Sequence, residues 1–137
     1  MSRAYVHTCI RVLDPEASQR FYGVLGFEPR GRLNFSSAYN IYMGLPGDGD
    51  VLELTVNKDQ TEPYDLGTGY NHMAVAVDDI HAALAELEPL GVQPEKAPYN
   101  PGGRSELPLI CFVADPDGYR IELIDGGRFD TPQDPAD

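Results

Sequence analysis

Four stretches of the first half of the chain, about 4–12, 27–33, 38–43 and 51–56, read as strands. After the first stretch, Asp14 offers an N-cap and Pro15 a first-turn proline to a helix that carries Phe21, Val24 and Leu25 and stops at Gly26. The turns at 34–37 and 44–50 are built from Asn, Ser, Gly, Pro and Asp. The first half therefore reads as βαβββ. Residues 58–69 are polar and rich in glycine and proline, and the pattern then restarts. Tyr5-Val6-His7 is echoed by Tyr70-Asn71-His72, Asp14 by Asp79, Ala17 by Ala82, Leu25-Gly26 by Leu90-Gly91 and Pro29 by Pro94. The offset is constant, since 72 − 7, 79 − 14, 91 − 26 and 94 − 29 all equal 65. A fixed period with matching helix caps is the mark of a duplicated unit.

The expected fold class is α+β, with two tandem βαβββ modules. Residues 1–57 form the first, 58–69 a linker and 70–125 the second; the acidic tail 126–137, with two prolines, is expected to be disordered. Glu53 and Glu122 are 122 − 53 = 69 residues apart, so the second module carries about four extra residues, which the Pro- and Gly-rich segment 97–108 accommodates.

The strands carry charge where burial would penalise it. Glu53 lies between Leu52 and Leu54, and Glu122 between Ile121 and Leu123; an unpaired buried carboxylate costs several kcal/mol. His7 and His72 open two other apolar strands. A single strand histidine is more often structural, and a single strand glutamate could pair with Arg11 or Arg120. The repeat changes that balance, because each half places one histidine on its first strand and one glutamate on its last. His7, Glu53, His72 and Glu122 thus read as ligands of one divalent metal. Mixed nitrogen and oxygen donors leave zinc, nickel, cobalt, iron and manganese open. By strand parity His7 shares a face with Cys9 and Arg11, Glu53 with Thr55 and Asn57, and Glu122 with Arg120 and Ile124. A guanidinium and an amide beside the ligands suit an anionic, peptide-like substrate. A metal in that setting can polarise a carbonyl and stabilise an enediolate while a neighbouring carboxylate moves a proton. His81 has no counterpart and reads as a surface residue, Tyr5 and Tyr70 as packing residues, and Asp115-Pro116-Asp117-Gly118 as turn chemistry.

Composition narrows the partners. Ten lysines and arginines against 22 aspartates and glutamates give a net charge of −12 on 137 residues, which repels nucleic acid and anionic membranes. No apolar run approaches a membrane span and the N-terminus lacks a signal-peptide core, so a cytoplasmic protein is expected. Cys9 and Cys111 lie in apolar strands and read as reduced thiols.

Two stretches carry a family likeness: Tyr64-Asp65-Leu66-Gly67-Thr68-Gly69-Tyr70-Asn71-His72, and Asp115-Pro116-Asp117-Gly118-Tyr119-Arg120-Ile121-Glu122-Leu123, with Leu52-Glu53-Leu54-Thr55 and Asn57 in support. Over about residues 4–125 the chain resembles the vicinal oxygen chelate (glyoxalase/bleomycin resistance) superfamily and, within it, the glyoxalase I (lactoylglutathione lyase) family. The resemblance implies isomerisation of the methylglyoxal–glutathione hemithioacetal to S-lactoylglutathione through an enediolate. It matches His7, Glu53, His72 and Glu122 to the metal ligands, with Glu122 the principal base and Glu53 the base for the other epimer. Arg11 and Asn57 match positions that hold the glutamyl end of glutathione. It further implies nickel or cobalt in preference to zinc, and a homodimer whose sites pair His7 and Glu53 of one subunit with His72 and Glu122 of the other. Segment 99–108 is longer than in typical short members and lacks the family lysine for the glycyl carboxylate, leaving Arg104 as candidate; Thr68 stands where some members have arginine. Other readings compete: a superfamily enzyme acting on another thiol adduct, or an acyl-CoA epimerase; a ring-cleaving dioxygenase, whose iron site would leave one glutamate unexplained; and a metal-free drug-sequestering protein of the bleomycin-resistance type.

Overall fold

A computed structural model describes residues 1–136; of the expected disordered tail, Asp137 lies outside the described residues. The chain divides into two compact units. One holds residues 1–70 together with 115–119, the other residues 71–114 and those from Arg120 on.

The first unit has the order β1 (Thr8–Arg11), α1 (Pro15–Val24), β2 (Glu28–Asn34), β3 (Ala38–Gly44) and β4 (Leu52–Asn57). Its sheet order is β1-β4-β3-β2, with β1 parallel to β4 and the other pairs antiparallel. Asp14 caps α1, its Oδ1 accepting from the backbone N–H groups of Glu16 and Ala17 at 3.1 and 3.2 Å. The chain leaves the helix through Gly26 at φ 96°, a conformation open to glycine without strain. Along β4, Leu52, Leu54 and Val56 are buried while Glu53, Thr55 and Asn57 alternate with them in half-exposed positions. Phe21, Tyr22, Ile10, Val12, Ile41 and Met43 complete the core. β1 is shorter than the apolar stretch 4–12 because its partner begins late: Thr8 N–H bonds Val51 C=O at 3.0 Å, and the turn preceding Val51 offers residues 4–6 no ladder. β2 is exposed throughout, an edge strand with Pro29 and an irregularity in register between Pro29 and Gly31.

The second unit repeats the plan with β5 (Met73–Val77), α2 (Ile80–Leu87), β6 (Ile110–Ala114) and β7 (Arg120–Asp125), in the order β5-β7-β6. Asp79 caps α2 as Asp14 caps α1, accepting from His81 and Ala82 N–H at 3.0 and 3.1 Å. Where the first unit has its edge strand, this one has residues 95–99, which run beside β6 with bonds from Glu95 N–H to Phe112 C=O and a reciprocal pair between Tyr99 and Ile110. Pro94, Pro98 and Pro101 remove donors from this segment and reduce it to an isolated bridge. The extra residues form a compact loop, closed by Asn100 Nδ2 donating to Leu107 C=O at 2.8 Å. Cys111, Val113, Ile121 and Leu123 are fully buried with Leu87 and Ile80, while Ile110, Phe112 and Ile124 form a separate cluster with Tyr99. Cys9 and Cys111 are both free thiols. In the tail, Asp134 forms a bidentate pair with Arg104 at 2.6 and 3.1 Å.

The turn 115–119 packs with the first unit. Buried Asp115 accepts from the N–H groups of Asp117 and Tyr119 at 2.9 Å each and from the Tyr22 hydroxyl at 2.6 Å. Asp117 accepts from Leu13 N–H at 2.9 Å, and the Tyr119 hydroxyl donates to Arg11 C=O at 3.0 Å. No described helix is long and apolar enough to cross a membrane.

Candidate functional site

Each unit brings one histidine to one glutamate. In the first, Cys9 on β1 is the register partner of Glu53 on β4, and His7 precedes Cys9 by two residues on the same face. In the second, Ala74 on β5 is the partner of Glu122 on β7, and His72 precedes Ala74 by two. The duplication thus extends to the register of a parallel strand pair. His7 Nε2 lies 3.3 Å from Glu53 Oε1 and His72 Nε2 3.2 Å from Glu122 Oε1. The glutamate side chains are 13% and 17% exposed, so each carboxylate is withdrawn from water yet reachable from the open face.

The lateral neighbours of the two glutamates differ. Glu53 sits between Cys9 and Tyr42, and Glu122 between Ala74 and Phe112. Asn40 Nδ2 donates to Glu53 Oε2 at 3.2 Å, and the Asn40 carbonyl accepts from the Thr55 hydroxyl at 2.8 Å. Burial pushes the Glu53 carboxyl up, but hydrogen bonds from the Tyr42 hydroxyl and Cys9 thiol, with the charge of His7, outweigh it and hold the group below the usual carboxylate range. Ala74 and Phe112 have no donor to offer Glu122. Phe112 instead packs edge-on to His72, ring centres 5.2 Å apart, and lies under the Arg120 guanidinium at 3.7 Å.

Two imidazole nitrogens and two carboxylate oxygens are a donor set of the type that divalent first-row ions take, so the residues fit a metal. The structure brings the four together two by two. Among the described residues there is no group of three or more His, Cys, Asp or Glu side chains able to hold an ion.

Of the other sequence candidates, Arg11 is exposed at the end of β1, opposite Thr55. Asn57 ends β4 and donates to the Tyr64 hydroxyl at 3.0 Å. Arg104 lies in the second unit, its guanidinium taken up by Asp134 and, at 3.4 Å, by Glu106. Sequence parity placed Cys9 and Thr55 on the ligand face but could not find Asn40 and Tyr42, whose position depends on the register of β3 against β4.

A duplicated unit with His–Glu pairs at matched register defines an enzyme scaffold of the vicinal oxygen chelate type. Residues 4–123 match the Glyoxalase/Bleomycin resistance protein/Dioxygenase superfamily, and the chain belongs to it. It is 43% identical over 129 residues to the lactoylglutathione lyase of Neisseria meningitidis serogroup A, covering 87% of this chain and 88% of that one. Among solved structures it resembles the trypanothione-dependent glyoxalase I of Leishmania major, with TM-score 0.75, 31% identity and coverage of 91% and 88%. It also resembles glyoxalase I of Zea mays, with TM-score 0.79 and 30% identity over 93% of this chain, which spans 46% of the length of the maize enzyme.

Proposed function

We propose that this chain is a lactoylglutathione lyase, isomerising the hemithioacetal of methylglyoxal and glutathione to S-lactoylglutathione and so detoxifying 2-oxoaldehydes. The observation that carries the reading is the pair of His–Glu contacts at one register in both units, in a chain similar over most of its length to proteins of that name. His7, Glu53, His72 and Glu122 would hold one divalent ion, nickel or cobalt in preference to zinc. When bound, that ion supplies the positive charge that stabilises the substrate oxygens as the carbon acid ionises.

Glu122 is the principal base: it takes the proton from the carbon bearing sulfur and delivers it to the neighbouring carbon. Its setting supports this role, since the lateral neighbours Ala74 and Phe112 offer the carboxylate no donor, whereas Tyr42 and Cys9 hold Glu53 below the usual carboxylate range. Glu53 serves the other epimer and otherwise acts as an anionic ligand. Arg11 and Asn57 hold the glutamyl end of the thiol. Arg104 is assigned to the glycyl carboxylate, which must then displace Asp134 from the guanidinium fork. Two donors per unit support a homodimer in which His7 and Glu53 of one subunit complete a site with His72 and Glu122 of the other. The acidic surface supports a cytoplasmic enzyme with no nucleic-acid or membrane partner.

The test is thioester formation from methylglyoxal and glutathione by chelated protein, with nickel, cobalt and zinc restored separately. Turnover that depends on the added ion is expected. A folded protein that binds metal and turns over with none of them would overturn the assignment.

A further inference from the structure

Each unit supports its histidine with an aromatic ring as well as a carboxylate, and the two rings are held by different means. The residue beside each glutamate on the neighbouring strand is aromatic, Tyr42 for Glu53 and Phe112 for Glu122. Its ring packs on the histidine of the same unit, with centres 5.6 Å apart for Tyr42 and His7 and 5.2 Å for Phe112 and His72. The Tyr42 ring is tied down by its hydroxyl, which accepts from Asn40 Nδ2 at 3.3 Å and donates to Glu53. Phenylalanine has no such handle. Phe112 belongs to the apolar cluster of Ile110 and Ile124, and its ring is covered by the Arg120 guanidinium at 3.7 Å. Arg120 is its diagonal neighbour across the β6–β7 pair, within reach of a long side chain.

An unrestrained arginine would sample many rotamers and hold nothing in place. Arg120 is restrained, because its Nε and Nη2 donate to the two oxygens of Glu95 at 2.6 and 2.9 Å. Glu95 is in turn tied by its backbone N–H to Phe112 C=O at 2.8 Å. Phe112, Glu95 and Arg120 thus close a circuit of contacts within the second unit. Arg120 Nη1 also reaches Asn71 Oδ1 at 3.3 Å, so a direct effect on the chain before His72 is the alternative to an effect through the ring.

We propose that Arg120, gripped by Glu95, is a positioning residue that holds the Phe112 ring against His72 and so keeps the imidazole beside Glu122, ready for a divalent ion. The proposal rests on the ligand role given to His72 above. Its basis is geometric: an imidazole free to swing must be re-oriented when the ion binds, and loss of a group that orients a ligand costs about ten- to hundredfold in metal affinity. The first unit is an internal control, since Tyr42 is fixed by its hydroxyl and, among the described residues, no cation stacks on it.

The experiment uses the full chain, stripped of metal with a chelator. Nuclear Overhauser contacts report the approach of Phe112 to His72 and of Tyr42 to His7, and competition titration of the same protein reports nickel affinity. Arg120→Gln should weaken the Phe112–His72 contact, leave Tyr42–His7 unchanged and lower nickel affinity about tenfold. Glu95→Gln, at an exposed position away from the ligands, should move both readouts in the same direction and serves if the arginine variant does not fold. Phe112→Leu should lower affinity by itself, and adding Arg120→Gln to it should cost little more. Native nickel affinity in either single variant of the Arg120–Glu95 pair, an affinity loss with the ring contact intact, or losses at Arg120 and Phe112 that add in full would overturn the proposal. If the native chain binds no nickel, cobalt or zinc, the metal reading fails; the ring contacts of the metal-free protein then decide by themselves whether Arg120 positions His72.

Discussion

Two carboxylates of the same residue type, each beside an imidazole, are given different chemistry by the side chains on either hand. Glu53 accepts from Asn40 and is held below the usual range by Tyr42 and Cys9, whereas Glu122 stands between an alanine and a phenylalanine. Glu122→Gln should therefore keep the melting temperature of the chelated native chain while lowering turnover by about 10²- to 10⁴-fold, the share of a positioned general base. A variant with near-native turnover would remove Glu122 from that role. Asp115 gives a second prediction. Burial raises its carboxyl to about 6, against hydrogen bonds from the Tyr22 hydroxyl and the Tyr119 and Asp117 N–H groups that pull it down. The folded chain therefore binds this proton more tightly than the unfolded one, whose aspartate titrates near 4. The stabilisation is complete below about pH 4 and is lost as pH rises through about 6. Compared with Asp115→Asn, which cannot ionise, the native chain should lose stability between those limits, as read by urea unfolding at each pH. A difference that stays constant with pH would mean that Asp115 titrates at its ordinary value. The Arg104–Asp134 pair supplies a third: if Arg104 takes a substrate carboxylate, Asp134→Asn should lower KM for glutathione hemithioacetal and leave kcat unchanged.

At the scale of elements, the duplicated caps are a matched pair for comparison. Asp14 and Asp79 each satisfy two N–H groups at the start of a helix, and replacing either with alanine should cost about 1 kcal/mol. Calorimetric melting of the two variants would check this. The larger effect is expected at Asp79, since α2 spans eight residues against ten in α1 and has less of its own hydrogen bonding to fall back on. The helix caps, the exits through Gly26 and Gly91, and the alternation of β4 were all legible in the sequence, because each depends on residues within one turn or one strand. The missing second strand of the second unit was not read as such. Its prolines were visible, but only the pairing of Tyr99 with Ile110 shows how little ladder survives them.

For the whole molecule, the proposed metal links site and stability. An ion that binds only the folded chain stabilises it by about 2.7 kcal/mol at a hundred times its dissociation constant. Chelation should therefore lower the melting temperature, and nickel or cobalt should restore it more fully than zinc at equal concentration. A melting temperature indifferent to chelator and to all three ions would count against a resident metal. The charge of −12 makes a further demand: self-repulsion between surface carboxylates is screened by salt, so melting should rise between low ionic strength and about 0.15 M sodium chloride.

By itself the sequence determined the duplication, its 65-residue offset, the α+β class, the caps, and the placement of Glu53 and Glu122 between buried neighbours on their strands, with His7 and His72 just ahead of the first strand of each half. These follow from local period and from comparison of one half with the other, neither of which needs the partner of any strand. Tertiary structure alone decided the neighbours. It set Cys9 and Tyr42 beside Glu53 but Ala74 and Phe112 beside Glu122, joined Arg120 to Asn71 and Glu95, gave Arg104 to Asp134, and packed the turn 115–119 with the first unit. The physical reason is the same in each case. Strand register and long side-chain pairs join residues far apart in the chain, and a shift of one residue in register exchanges the faces of a strand without altering its local pattern.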